Sequence, residues 1–78
     1  MNDSVKIEPH GGAVGLYRLL FWNYHTKRYE FPRFSEFMRL RFGDTALRPH
    51  SLDVCRRLRF ELLQLPTNVL VIITPYPI

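Results

Sequence analysis

The apolar and polar residues of this chain follow a strand period at the start and a helical period later. Residues 4–8 alternate, with Val5 and Ile7 against Lys6 and Glu8, which is the pattern of a short strand with one buried face. A proline and two glycines follow within the next four positions and predict that the strand ends there.

Residues 14–25 are apolar and aromatic, and neither the helical nor the strand period fits them cleanly. Tyrosine, phenylalanine and tryptophan suit a pleated, half-buried surface, and a second alternating stretch follows at residues 28–31. We therefore predict a β-hairpin that turns near Thr26 and Lys27. The turn lacks the Asn-Gly or Asp-Gly pair of a tight hairpin, so an amphipathic helix over residues 15–24 stays open as the alternative.

Two helices are predicted in the middle of the chain. The first covers residues 33–43, with Phe34, Phe37 and Met38 at helical spacing and Gly43 as its end. The second covers residues 52–65, because Ser51 is a good N-cap and a proline at position 66 stops the run. Its predicted core stripe consists of Val54, Cys55, Leu58, Leu62 and Leu65.

The run of residues 69–74 is β-branched and free of charge, which is typical of a strand covered on both faces. We predict it as the central strand, with residues 1–4 and 75–78 as loose ends of a single domain over residues 1–78. The predicted fold class is α+β. It is a small antiparallel sheet of three or four strands with two α-helices packed on one face, in the order β-β-β-α-α-β.

Composition predicts that the protein is soluble and intracellular. No basic-then-apolar leader begins the chain, and no apolar run reaches the length of a membrane helix. Cys55 is the one cysteine, whereas small secreted domains usually carry several. The sequence therefore predicts a protein of the reducing cytoplasm that does not act at a membrane.

The residues that could carry catalysis or hold a metal are few. His10, His25, His50 and Cys55 have no paired ligand spacing, so we predict no metal and no cofactor. Cys55 falls on an apolar helix face, where burial raises the pKa of a thiol and works against a nucleophile. We therefore predict that the protein is not an enzyme and has no catalytic residue, and nothing in the sequence implies a small-molecule substrate.

Basic and aromatic residues are the features of the sequence that indicate a function. The formal net charge is +4, and arginine outnumbers lysine. The excess of arginine has two explanations: arginine recognises carboxylate or phosphate groups, or the coding sequence is GC-rich. Arg41 and Arg59 lie among apolar helix positions, and each either covers the core with its stem or holds its head out for an acidic group. The residues predicted to form a partner-binding surface are Arg18, Trp22, Tyr24, Lys27, Arg28, Tyr29, Arg39, Arg41, Arg56 and Arg59.

These residues predict a small binding module, an inhibitor or adaptor that docks on a protein partner through this surface. The alternative is a nucleic-acid-binding regulator that sets its arginine-bearing helices on phosphate. Trp22, Tyr24 and Tyr29 would then stack on bases, although packing within the core is the commoner role for such rings. An exposed sheet edge could also pair with a second copy, which predicts a homodimer as a further arrangement.

Overall fold

Three antiparallel strands and three helices make up the part of the chain that the computed structural model describes, which is residues 3–32, 35–43 and 48–73. In chain order they are β1 (Val5–Pro9), β2 (Tyr17–Asn23), β3 (Arg28–Glu30), α1 (Glu36–Phe42), α2 (Leu52–Leu63) and α3 (Thr67–Ile72). The sheet order is β1-β2-β3. The predicted α+β class and the antiparallel sheet are therefore confirmed.

The central strand of the sheet is β2, and it pairs with a neighbour on each side. Val5 of β1 lies opposite Phe21, and Phe21 in turn lies opposite Glu30 of β3. The strand assignment for this aromatic segment is correct, and the helical alternative over residues 15–24 is wrong. Beyond β3, Tyr17 exchanges backbone hydrogen bonds of 2.7 and 2.8 Å with His50, which extends that edge of the sheet.

The hydrophobic core lies on one face of the sheet. Alternation along the strands points Val5, Leu19 and Phe21 to the same side, and all three are at most 2 % exposed. Helix α2 contacts β1 and β2, and α3 contacts β2. The buried helical partners of this face are Met38 from α1, Cys55 and Leu62 from α2, and Leu70 and Ile73 from α3 and its C-cap.

Both predicted helices form, but α1 starts at Glu36 rather than at residue 33, because Ser35 is its extended N-cap and accepts a hydrogen bond from the Met38 N–H. Ser51 accepts a hydrogen bond from the Val54 N–H at 3.4 Å, as a side-chain N-cap should. Helix α1 ends at Phe42, and its C-cap is Gly43, whose φ of 66° favours glycine. Helix α2 ends at Leu63, two residues before the predicted end, and Phe34 lies outside the described residues.

The predicted final strand is wrong, because the described residues of the 69–74 run belong to helix α3 and its C-cap. The carbonyl of Pro66 accepts hydrogen bonds from the N–H groups of Val69 and Leu70, at 3.0 and 3.2 Å. Leu70 and Ile73, three residues apart, are both buried, so one helical face enters the core. The described order is thus β-β-β-α-α-α, and position 74 and the predicted loose end 75–78 lie outside the described residues.

The start of the described chain is held to the sheet. The Ser4 carbonyl accepts a hydrogen bond of 2.8 Å from the Trp22 N–H, one residue before β1 begins. The Asp3 carbonyl accepts a hydrogen bond from the hydroxyl of Tyr29. Part of the predicted loose end at residues 1–4 is therefore tied to β2 and β3, while residues 1–2 lie outside the description. Within the described residues, none of the helices has the length and apolar character needed to cross a bilayer.

Candidate binding surface

The sheet face opposite the core carries most of the predicted hairpin residues. Because the core takes the odd-numbered positions of β1 and β2, the even-numbered side chains point to the other face. Lys6, Arg18 and Trp22 lie there, and Tyr29 joins them opposite Trp22. Together with Lys27 and Arg28 at the hairpin, they line an open cleft of about 760 Å³. We call this surface the open sheet face.

Aromatic rings and cations alternate across the open sheet face. The rings of Trp22 and Tyr29 meet edge to face, with centroids 5.1 Å apart and an angle of 69°, a favourable aromatic geometry. The Lys6 Nζ lies 4.7 Å from the centroid of Tyr29, and the Arg18 guanidinium lies 5.7 Å from that of Phe31. Both are within cation–π range, so the side chains already hold one another in a defined arrangement.

Leu20 shows how closely these side chains cover the sheet. It lies between Arg18 and Trp22 on the open sheet face and opposite Lys6, yet it is 6 % exposed. The longer side chains around it therefore lie across the face. Such an arrangement reduces the conformational entropy that a partner would have to remove on binding.

Arg18 forms a solvent-exposed ion pair with Glu8 on this face. Its Nη2 is 3.8 Å from the Glu8 Oε2, and the two side chains are 39 % and 40 % exposed. A pair this open to water is worth little, so an incoming carboxylate can replace Glu8 at small cost. In the described part of the structure, the buried Arg18 Nε has no hydrogen-bond partner. Because that Nε is buried, an incoming anionic group would reach Arg18 through the Nη groups of its partly exposed side chain.

The hairpin turn positions Lys27 and Arg28 and is built around Asn23. The buried Asn23 side chain accepts hydrogen bonds from the N–H groups of His25 and Thr26, at 2.8 and 3.3 Å, through its Oδ1. Its Nδ2 donates to the Glu30 carboxylate at 2.8 Å. This asparagine-centred turn replaces the missing Asn-Gly signal. Lys27 closes it with a φ of 59°, in the left-handed region.

Replacing Asn23 with alanine should lower the free energy of unfolding by about 1–3 kcal/mol, because the polar groups around the turn lose their partner. Urea denaturation followed by circular dichroism measures the change. The control is Tyr24→Ala in the same turn, where the exposed side chain should matter by at most about 0.5 kcal/mol. Equal stability of the two variants would show that Asn23 does not hold the turn.

The predicted arginines of the helices lie in separate places. Arg56 and Arg59 line a groove beside β1, whereas Arg41 lines another cleft on the side of α2 that carries Arg57. Arg39 is exposed on α1. Successive residues of a helix are rotated by about 100°, so arginines that are close in sequence point in different directions. The four helical arginines therefore do not line one cleft in the described structure.

Two predicted arginines have contacts that the sequence did not specify, and Tyr24 lies away from the cleft. The Arg59 Nε donates a hydrogen bond of 2.7 Å to the Val5 carbonyl at the edge of β1. The Arg41 guanidinium is exposed and lies 5.2 Å from the Phe42 ring centroid. Tyr24 is 47 % exposed in the hairpin turn, and it is absent from the lining of the open sheet face.

Sequence reasoning missed Lys6 and Phe31, which both line the open sheet face. The alternation of β1 already marked Lys6 as a residue of the polar side. What was missing was the pairing register, which sets Lys6 opposite Leu20 and so next to the aromatic positions of β2. Phe31 directly follows β3, and the alternation of residues 28–31 already set it on the same side as Tyr29.

The residues considered for catalysis or metal binding include one neighbouring pair, His50 and Cys55. His50 and Cys55 are close, but the Cys55 Sγ contacts the backbone carbonyl of His50, at 3.9 Å. Burial raises the pKa of the Cys55 thiol, partly offset by that hydrogen bond, so its thiolate is disfavoured at neutral pH. Among the described residues, no group of three or more histidine, cysteine or carboxylate side chains could hold a metal ion.

The open sheet face is thus the place where the described structure brings predicted binding residues together, namely Arg18, Trp22, Lys27, Arg28 and Tyr29. Its features are interlocked rings, exposed cations and the partly exposed side chain of Arg18. The chain matches no protein-family model, no curated protein and no solved structure.

Proposed function

We propose that the protein is a non-enzymatic binding module, an inhibitor or adaptor that docks on a protein partner through the open sheet face. The observation that carries the proposal is the juxtaposition of Trp22 and Tyr29 with Lys6, Arg18 and Arg28 in one cleft. Aromatic residues and arginine dominate the energetics of protein interfaces. Cations outnumber carboxylates along the cleft, so the partner surface is acidic with apolar parts.

The arrangement of the rings favours a protein over a nucleic acid. Bases stack on ring faces that are free and accessible. Here Tyr29 meets Trp22 edge to face and has Lys6 over its own ring. The cleft also includes the carboxylates Glu8 and Glu30, so its charge is mixed. A surface of mixed charge with interlocked aromatic rings fits the core and rim of a protein interface.

Single-stranded nucleic acid is the second candidate, and one observation favours it. Lys27 and Arg28 at the hairpin flank the aromatic residues of an antiparallel sheet, which is the combination that single-strand binders use. In this alternative the phosphates would lie against the hairpin. The helical arginines, which the sequence analysis set on phosphate, lie in other clefts.

Capture from native cell extract separates the two candidates. Tagged protein is incubated with extract at about 0.05 M and 0.5 M salt, with and without nuclease. A nucleic-acid complex weakens steeply with salt and disappears after nuclease. The proposal expects one protein that is retained after nuclease treatment and loses part of its affinity at high salt. Loss of every bound component after nuclease would reject the protein-binding proposal in favour of the second candidate.

The setting of the proposed module is the cytoplasm. The buried thiol of Cys55 suits a reducing compartment, where it stays unpaired. The proposal includes no cofactor, no membrane and no small-molecule substrate.

A further inference from the structure

The outer edge of β1 has a defined hydrogen-bonding pattern. The Trp22 N–H donates to the Ser4 carbonyl, and the His10 N–H donates to the Leu16 carbonyl, each at 2.8 Å. Backbone groups of an antiparallel strand point alternately to its two sides. The even-numbered residues of β1 thus bond to β2, and the odd-numbered residues Val5, Ile7 and Pro9 turn their backbone groups outward.

Two of these outward positions each have only one backbone group left for a new strand. The Val5 carbonyl already accepts the hydrogen bond from the Arg59 Nε at 2.7 Å. Pro9, like every proline, has no N–H to donate, which is why prolines within sheets are largely confined to edge strands. The outward groups that remain are the Val5 N–H, both groups of Ile7 and the Pro9 carbonyl.

We propose that this edge pairs with the same edge of a second copy, antiparallel and with Ile7 opposite Ile7. In this register the two Ile7 residues exchange their backbone hydrogen bonds. Each Val5 N–H faces the Pro9 carbonyl of the other copy. The carbonyl that Arg59 occupies falls opposite the proline that has no N–H to donate, so neither copy buries an unpaired donor. The edge is self-complementary, as a two-fold interface requires.

The charges of β1 are complementary in the same register. With Ile7 on the two-fold axis, Lys6 of each copy lies directly opposite Glu8 of the other. Side chains at directly opposed positions of an antiparallel pair lie close together, and opposite charges there are stabilising. A shift of the register by two residues would remove these Lys6–Glu8 pairs.

Apolar surface next to the edge adds to the same interface. A groove of about 520 Å³ runs between β1 and α2 and includes Ile7, Phe60 and Leu63. Phe60 is 68 % exposed, which is high for so large an apolar ring. The two-fold axis is perpendicular to the joined sheet, so both α2 helices lie on one side of it and bring these side chains toward the axis.

The open sheet faces of the two copies become continuous on the opposite side. Lys6 belongs both to the new interface and to the open sheet face. The pairing therefore doubles the area of the proposed binding surface, and it supports a small core by burying further apolar area. The dimer depends on the hydrogen-bonding groups and charges of the β1 edge, and it does not require the proposed function to be correct.

A pair of charge variants tests the dimer and its register. In the Lys6→Glu dimer two carboxylates face each other at both opposed positions, and in the Glu8→Lys dimer two ammonium groups do, so each variant repels itself. An equimolar mixture of the two variants restores an opposite-charge pair at both positions. Sedimentation velocity measures the mass over a range of concentrations, and circular dichroism checks that each variant is folded. Arg57→Glu, an exposed change on another side of α2, is the control.

We expect the wild type and the control to move from 9.3 kDa toward twice that mass as the concentration rises. Each variant alone should weaken self-association at least tenfold, and the mixture should recover it. A wild type that stays at 9.3 kDa at every concentration would overturn the proposal. Self-association that is unchanged in both variants, or a mixture of the variants that fails to associate, would also overturn the proposal.

Discussion

Replacing Phe21 with alanine should lower the free energy of unfolding by about 3–5 kcal/mol. Phe21 lies at the centre of β2, is 1 % exposed and belongs to the core that joins the sheet to the helices. Its removal leaves a cavity that the surrounding side chains can fill only in part. A chain of 78 residues has a total stability of about 4–12 kcal/mol, so the variant should be partly or largely unfolded at 37 °C.

Urea denaturation of the two proteins, followed by circular dichroism, measures this loss. Phe60→Ala is the matched control, because the same side chain is removed from a position that is 68 % exposed. In the monomer it should change stability by at most about 0.5 kcal/mol. A loss below about 1 kcal/mol for Phe21→Ala, or equal losses at the two positions, would contradict the described core.

Replacing Trp22 with alanine should weaken binding of the partner at least 30-fold, which corresponds to about 2 kcal/mol. The substitution removes the largest ring of the open sheet face and the edge-to-face contact that orients Tyr29. Because Trp22 points away from the core, the variant should keep its fold. Isothermal titration calorimetry with the partner found by capture measures the affinity.

The control for this prediction is Tyr24→Ala. Tyr24 is also aromatic and lies close in sequence, but it is outside the lining of the open sheet face. Its replacement should change affinity by less than about threefold, in keeping with the small contribution of most interface or near-interface residues. If the two variants bound equally well, the rings of the open sheet face would not be the anchors of the interface.

The sequence predicted those elements whose local signals agree with their tertiary setting. The Ser51 cap and the regular apolar stripe that includes Leu62 identified α2, and alternation identified β1. For β2, aromatic content indicated a strand correctly although the period was unclear. The run that begins at Val69 is β-branched and apolar for most of its length, so it has no period that separates a buried strand from a buried helix. Its helical state depends on packing against the sheet.

The hairpin half of the candidate site could be predicted because adjacent strands bring nearby residues together. Trp22 and Tyr29 lie opposite each other in the register, and both were expected to contribute. The positions of the helical arginines could not be predicted, because the rotation of α2 relative to the sheet decides which arginine faces which groove. That rotation turned Arg56 and Arg59 toward β1 and Arg57 toward another cleft, and no residue pattern in one sequence specifies it.

The measurement that tests the central claim most directly is a comparison of two double charge reversals in partner binding. One is Lys27→Glu with Arg28→Glu at the open sheet face, and the other is Arg39→Glu with Arg57→Glu on the helices. All four side chains are exposed, and both variants change the net charge by the same amount. Affinity is measured by calorimetry at two salt concentrations.

The account predicts that the hairpin reversal weakens binding at least tenfold and reduces its salt dependence, since two cations that face the partner become repulsive. The helical reversal should leave affinity within about threefold of the wild type. Equal losses in the two variants would show that net charge alone drives association. A greater loss in the helical variant would place the binding surface elsewhere and contradict the account.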